Sequence, residues 1–312
     1  MSLYELHKKH YQNFTSLNQI LLFMIIIFLL SRNSLSEKSI LRHLNDYYFS
    51  EIHLVIKGSG PQNILSDIFI YEPSEVLVNG ISQGNTRSKT CTLTGEENNV
   101  TLRFEEQLET CENMFYEIEN IIKVDFTDFD SSKVTNMTSM FYNCSNLEKI
   151  IFGDFNTSLV KNMFNLFYYC TNLTSVDLSN FDTSSVTSMQ NMFFHCYSLK
   201  KIIFSEKFVT SQVTNMNAMF SYNYELISLN LSSFDTSKVT NFVLMFNNCK
   251  KLRYLDLTSF SIMGNATLRS MFNRMENSIF INLNSFKITE NNEITTIVNA
   301  VKSSTKFCAR DS

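Results

Sequence analysis

The chain has 312 residues, a formal net charge of -4 and 18% charged residues, with 28 Phe, no Trp, 7 Cys and 2 Pro. Its 44% apolar content excludes a disordered chain, and the mild acidity leaves no clustered basic footprint for nucleic acid. Asn occurs 35 times and Gly 7 times, with only Gly153 and Gly264 beyond residue 100 and no Pro there, a bias of periodic architecture rather than of an ordinary enzyme domain.

In chain order, His7, Lys8, Lys9 and His10 precede an uninterrupted apolar run, Ile20–Leu30, with small residues at Ser34 and Ser36. Residues 1–36 read as a secretory signal peptide cleaved near Ser36. The run is shorter than the ~20 residues of a spanning helix; the other readings are an uncleaved signal anchor, flanked by Arg32, and a buried helix. Residues 37–100 hold both prolines and five of the seven glycines. Glu51–Lys57 alternates and ends in Gly58-Ser59-Gly60-Pro61. Short β-like runs stand at Ile68–Tyr71, Val76–Val78, Thr90–Thr94 and Val100–Phe104, with turns at Glu72-Pro73 and Asn79-Gly80. This stretch is expected to be a β-rich cap of about five strands covering the first open edge of the chain beyond residue 100.

The rest, 101–312, is a repeat. Phe115, Phe141, Phe167, Phe193, Phe220, Phe246 and Phe272 are spaced by 26, except for one step of 27 where Ser205-Glu206-Lys207-Phe208 adds a residue. Columns of Val (Val134, Val160, Val186), Leu (Leu147, Leu173, Leu199) and a second Phe (Phe129, Phe155, Phe181, Phe208, Phe234, Phe260) keep the same register. Met137, Met140, Phe141 and Cys144 fall at i, i+3, i+4 and i+7, which predicts a helix of about two turns. Asn136, Asn162, Ser188, Asn215, Asn241 and Thr267 stand at its expected N-cap. Triplets such as Val124-Asp125-Phe126 and Leu255-Asp256-Leu257 predict one short strand per unit. Phe-Asp-Thr-Ser at 181–184 and 234–237 predicts a turn held by its own side chains. One strand and one helix per unit imply an α/β fold: a right-handed leucine-rich-repeat-like solenoid of about seven repeats with a parallel sheet. Ile294, Ile297, Val298 and Val301 extend the helical spacing, and Phe307 predicts a last, uncapped strand.

The motifs Asn180-Phe181-Asp182-Thr183-Ser184-Ser185-Val186-Thr187-Ser188-Met189 and Phe234-Asp235-Thr236-Ser237-Lys238-Val239-Thr240-Asn241, continued by Met245-Phe246-Asn247-Asn248-Cys249, resemble the BspA-like family of leucine-rich-repeat surface proteins over about residues 105–312. The resemblance implies a secreted or surface-attached adhesion or recognition module and transfers no catalytic residue.

Catalytic signatures are missing: no G-x-S-x-G, CxxC, HExxH or phosphate-binding glycine loop occurs. His195, the only histidine after His53, reads as a surface or satisfied residue. Asp130, Asp182 and Asp235 form a broken column that suits turn capping better than a cation site. Neither a metal nor a cofactor is expected. Cys144, Cys170, Cys196 and Cys249 share a column with Asn223 and Met275, which reads as reduced buried packing. Cys91 and Cys111 are the candidates for a capping disulfide, with a core thiol as the other reading of Cys111; Cys308 falls outward on the last strand. Sequons stand at Asn99, Asn136, Asn143, Asn156, Asn172, Asn230 and Asn265, of which only some are expected to carry glycans.

In each strand, residues flanked by buried neighbours must point outward. One outward column reads Lys123, Lys149, Ser175, Lys201, Ser228, Tyr254, Phe280; the next holds Asp125, Ile151, Asp177, Ile203, Asn230, Asp256 and Asn282. From these, Lys123, Lys149, Ile151, Asp177, Lys201, Ile203, Asn230, Tyr254, Asp256 and Phe280 form the candidate binding face. The expected function is non-catalytic recognition of a protein or glycan on another cell or matrix, by a secreted or cell-surface chain that touches membrane only through an uncleaved anchor. The alternative is a structural coat protein that self-associates through its C-terminal strand.

Overall fold

The computed structural model describes residues 50–84, 87–262, 264–284 and 306–308, all within one compact unit, Phe49–Ser312. The apolar run Ile20–Leu30 and the segment around Ile294–Val301 lie outside the described residues.

Six strands build the N-terminal part: β1 (Ser50–Lys57), β2 (Gly60–Asn63), β3 (Glu75–Val78), β4 (Ile81–Ser82), β5 (Thr90–Leu93) and β6 (Glu97–Phe104). Ile68–Tyr71, expected to be β-like, is not a strand. Asn79 and Gly80 both have positive φ, 51° and 79°, as a two-residue hairpin turn between β3 and β4 requires. β1 alternates, with Ile52, Leu54 and Ile56 buried. It pairs antiparallel with β6 on one side and with β7 (Ile121–Asp125) on the other. β7 then pairs parallel with β8 (Lys149–Ile151), giving one six-stranded sheet of order β4-β3-β6-β1-β7-β8. β1 therefore occupies the first edge of the repeats.

Further along stand β9 (Ser175–Asp177), β10 (Lys201–Ile203), β11 (Tyr254–Asp256), β12 (Phe280–Asn282) and β13 (Lys306–Cys308). β9 and β10 form a parallel pair, and β11-β12-β13 a parallel three-stranded sheet. Each of β9 to β12 starts one residue ahead of the triplet that predicts it. Leu229-Asn230-Leu231, which has the same pattern, forms no strand. The residue added at Ser205–Phe208 precedes this row, and Ile203 and Asn230 are not in ladder register.

The expected α/β leucine-rich-repeat-like solenoid is wrong in its class. No helix exists among the described residues, and the fold is all-β, with antiparallel and parallel pairing mixed. Nor, among the described residues, is any helix long and apolar enough to cross a membrane.

The segments that carry helical spacing are runs of turns. Each holds two left-handed residues four apart: Ser139 and Asn143 (φ 53° and 55°), Asn165 and Tyr169 (56° and 59°), Asn191 and His195 (55° and 62°). A residue at positive φ rotates its peptide out of the helical ladder. The N–H groups of Met137, Ser139, Phe141 and Asn143 instead donate to the carbonyls of Asn162, Phe164, Leu166 and Tyr168 in the next repeat, at 3.0, 2.8, 3.0 and 2.7 Å. Those of Met140, Tyr142 and Cys144 close local turns three residues back. Apolar residues still return to the core every three to four positions, so the spacing mimics a helix.

The expected N-caps have another role. Asn136, Asn162, Ser188, Asn215, Asn241 and Thr267 form a line of parallel bridges, one per repeat. Oδ1 of Asn136, Asn215 and Asn241 accepts the N–H two residues ahead.

A sign test separates turns from helix. Ser270 is half-buried at φ 54°. Ser270→Gly should be more stable than Ser270→Ala by about 1 kcal/mol, because only glycine occupies this region without steric cost. A helical segment would rank the two in the opposite order by a similar amount. Chemical denaturation of both variants decides it, and a more stable alanine variant would rule out the left-handed conformation at Ser270.

The core is a set of stacked columns. Phe115, Phe141, Phe167, Phe193, Phe220, Phe246 and Phe272 are fully buried, with successive ring centroids 5.3–5.9 Å apart. Beside them Sγ of Cys144, Cys170, Cys196 and Cys249 donates to the carbonyls of Phe115, Phe141, Phe167 and Phe220. Asn223 takes this position in one repeat and reaches the Phe193 and Phe220 carbonyls through Nδ2, which leaves its Oδ1 buried and unpaired. Cys91 and Cys111 are separate buried thiols, without the capping disulfide between them. Burial pushes the Cys91 thiol up to about 11 and the repeat thiols higher still, so all stay protonated and unreactive near neutral pH.

Candidate functional site

The outward columns of the strands assemble into a face in three blocks. Lys123 lies opposite Lys149 and Asp125 opposite Ile151. Ser175 lies opposite Lys201 and Asp177 opposite Ile203. Tyr254 lies opposite Phe280, which in turn lies opposite Lys306, and Asp256 lies opposite Asn282. A single bridge, Ser228 to Tyr254, ties the row containing Asn230 to the last block. Lys149, Asp177, Lys201, Asn230 and Asp256 are exposed, whereas Lys123, Ile151, Ile203 and Phe280 are half-buried. Tyr254 is 60% exposed.

Two seams interrupt the face. Ile151 and Asp177 are not ladder partners, and a cleft opens there between Ile151, Gly153, Asp177 and Asn180. A second cleft lies between Asn230 and Asp256, with Ser232 and Thr258 on its walls. Each contains one carboxylate, too few for a cation site. Among the described residues no three His, Cys, Asp or Glu side chains converge as metal ligands.

The acids of the face are occupied locally. Oδ1 of Asp177, Asp256 and Asp125 accepts the N–H of Ser179, Thr258 and Thr127. Burial raises the Asp125 carboxyl, but the Thr127 hydroxyl and N–H and the Lys123 ammonium, 3.3 Å away, outweigh it and hold it below the ordinary carboxylate value. The turn column is built alike: Asp130, Asp182 and Asp235 accept the N–H of Ser132, Ser184 and Ser237. Of the sequon residues, Asn136 and Asn143 are half-buried, with Nδ2 engaged by Glu112 and Glu119. Asn99, Asn156, Asn172, Asn230 and Asn265 are exposed.

One surface feature escaped the sequence reading. Tyr116, Tyr142, Tyr168 and Phe194 stack at 4.6, 4.5 and 5.0 Å, half-buried, along the turn side of successive repeats. The stack continues diagonally through Tyr169, His195 and Tyr222 at 4.3 and 4.1 Å, and Tyr197 stacks on Tyr224. Lys250 Nζ caps the Tyr224 ring at 4.7 Å. His195 is held between two tyrosine rings with Nδ1 bonded to the Tyr197 hydroxyl; burial pushes its imidazole down to about 4, so it is neutral at physiological pH. The available signal was the 26-residue spacing of Tyr116, Tyr142 and Tyr168. Since ring faces are used against neighbouring repeats, the stack serves as a spine for the turn side.

No curated protein matches the chain. Two successive stretches, residues 109–207 and 200–309, each match the family model described as Mycoplasma protein of unknown function, DUF285. The two matches run from the junction after the antiparallel strands to the last described strand, and the chain belongs to the DUF285 family.

Proposed function

We propose that the chain is a non-catalytic recognition module, exported or held at a cell surface, that binds a protein or glycan through the three-block strand face. The observation that carries this reading is Tyr254, 60% exposed and in register with Phe280 on an outward strand column. Large aromatic side chains presented to water on a rigid sheet are common anchors for partners. The resemblance of the 181–190 and 234–249 motifs to BspA-like leucine-rich-repeat surface proteins supports the same assignment, as does the basic leader before Ile20–Leu30.

Tyr254→Ala combined with Phe280→Ala should weaken binding of the purified protein to an array of matrix proteins and glycans by at least about tenfold, or ~1.4 kcal/mol. Its thermal midpoint should stay nearly unchanged, because neither side chain is core. Undiminished binding would remove the face from consideration. A second reading, a self-associating coat, is favoured by β13 being, among the described residues, the outer strand of its sheet. Light scattering separates the two: monomers at all concentrations support recognition, and concentration-dependent polymers support the coat.

A further inference from the structure

Two properties of the face point to one class of partner, given that the recognition reading holds. The first is an apolar patch. Ile227, Tyr254 and Ile279 are 53%, 60% and 46% exposed, three of the most exposed large apolar or aromatic side chains of the described residues. They lie on adjacent rows: Arg253 N–H donates to the Ile227 carbonyl, Ile279 N–H to the Arg253 carbonyl, and Tyr254 pairs with Phe280. Four large side chains thus stand in two neighbouring columns at one end of the face, Ile227 and Ile279 on either side of Arg253 and Tyr254 beside Phe280, where singly scattered apolar residues would be ordinary.

The second property is charge. Along the rows of this face, the first outward position and the one before it carry Lys123, Lys149, Lys200 and Lys201 ahead of the patch, Arg253 within it and Lys306 beyond it, against Glu148 alone. The chain as a whole has a net charge of -4, so this strip runs against its host. Lys149, Lys200 and Lys201 have no ion-pair partner among the described residues, and all three are exposed. Asp177 and Asp256, two residues along, are turned onto the N–H groups of Ser179 and Thr258.

The geometry points to a protein partner that docks an acidic extended segment along the lysine rows, with a large apolar side chain seated on Ile227, Tyr254, Ile279 and Phe280. Charge complementarity selects the acids. The isoleucines select a protein over a polysaccharide, because aliphatic side chains offer a sugar ring no stacking face, whereas they bury a Leu or Phe well. From Lys149 to Phe280 the strip spans six rows, five steps of ~4.8 Å or roughly 24 Å, the reach of about seven extended residues.

A phage-displayed library of random dodecapeptides, selected on the immobilised full chain, tests this. The expected result is enrichment of Asp and Glu beside a Leu, Ile or Phe anchor. A selected peptide should bind at least about tenfold more weakly to Lys149→Glu with Lys201→Glu, and likewise to Tyr254→Ala with Phe280→Ala. Raising the salt concentration should weaken it further. Both double variants change exposed or half-buried side chains, and an unchanged circular dichroism melt certifies their fold. Selected peptides without acids, or peptides indifferent to the lysine reversals, overturn the inference. So does heparin retained through the same lysines with no acidic peptide enriched, which would assign the strip to a sulfated polysaccharide. If array binding depends on Tyr254 and Phe280 but ignores the lysine reversals, the inference fails and the recognition reading stands. If the wild-type chain binds neither array nor peptide, the recognition reading itself fails.

Discussion

Phe193→Ala should cost about 3–5 kcal/mol of stability, the scale of a large ring deleted from a packed interior. Phe193 is fully buried, stacked 5.3 Å from Phe167 and 5.7 Å from Phe220. Its N–H donates to the Met219 carbonyl and its carbonyl accepts from Asn223 Nδ2. Alanine keeps both bonds, so the loss isolates the ring: its transfer from water, the cavity it leaves, and two stacking contacts. The damage should reach beyond one repeat, because each unit of a stacked array is buried only by its neighbours. Amide exchange should accelerate around Phe167 and Phe220 as well as at the mutated position. A loss under about 1 kcal/mol would mean that the column is not the core.

That column was legible because its register survives an insertion: the seven phenylalanines keep their spacing on both sides of the 27-residue step. The hydrogen bonding was not legible. A spacing of i, i+3, i+4, i+7 records which residues return to the core, and a helix and a run of turns with two left-handed residues return them at nearly the same positions. The discriminating signal was the asparagines. Asn113, Asn143, Asn165, Asn191 and Asn248 all sit at positive φ, the region Asn tolerates better than other side chains bearing a Cβ. They stand inside the apparent helices, where Asn is a poor former. Strand pairing was partly hidden for another reason. Leu229-Asn230-Leu231 and Leu255-Asp256-Leu257 have the same pattern, yet only the second row contains a strand, because pairing belongs to two adjacent repeats and the added residue offsets the first. On the candidate face, alternation gave the outward residues, but the split into three blocks and the exposure of Ile227 and Ile279 depend on how neighbouring rows meet.

Leu54→Asp should be the most damaging change in the N-terminal part, costing about 4 kcal/mol or more. It removes a side chain that is 1% exposed and puts a carboxylate in its place, without a partner, between Val100 of β6 and Val124 of β7. The position matters as much as the chemistry. β1 is the third strand from the repeat end of the six-stranded sheet, and among the described residues its pairing with β7 is the only strand contact on that side of the first repeat. Loosening β1 exposes the edge of β7 to water, and the repeats beyond lose a neighbour in turn. Hydrogen exchange should therefore quicken first at Ile121–Asp125 and Lys149–Ile151. Amides near Met245 and Phe246, several repeats away, should keep their protection, as expected of an array whose coupling runs between nearest neighbours. Thr101→Asp, on the same sheet but half-buried beside His53, should cost far less. Exchange that quickens uniformly along the chain would show that the antiparallel strands and the repeats unfold as one cooperative block, and unchanged exchange in β7 would show that the first repeat does not need β1 as its edge.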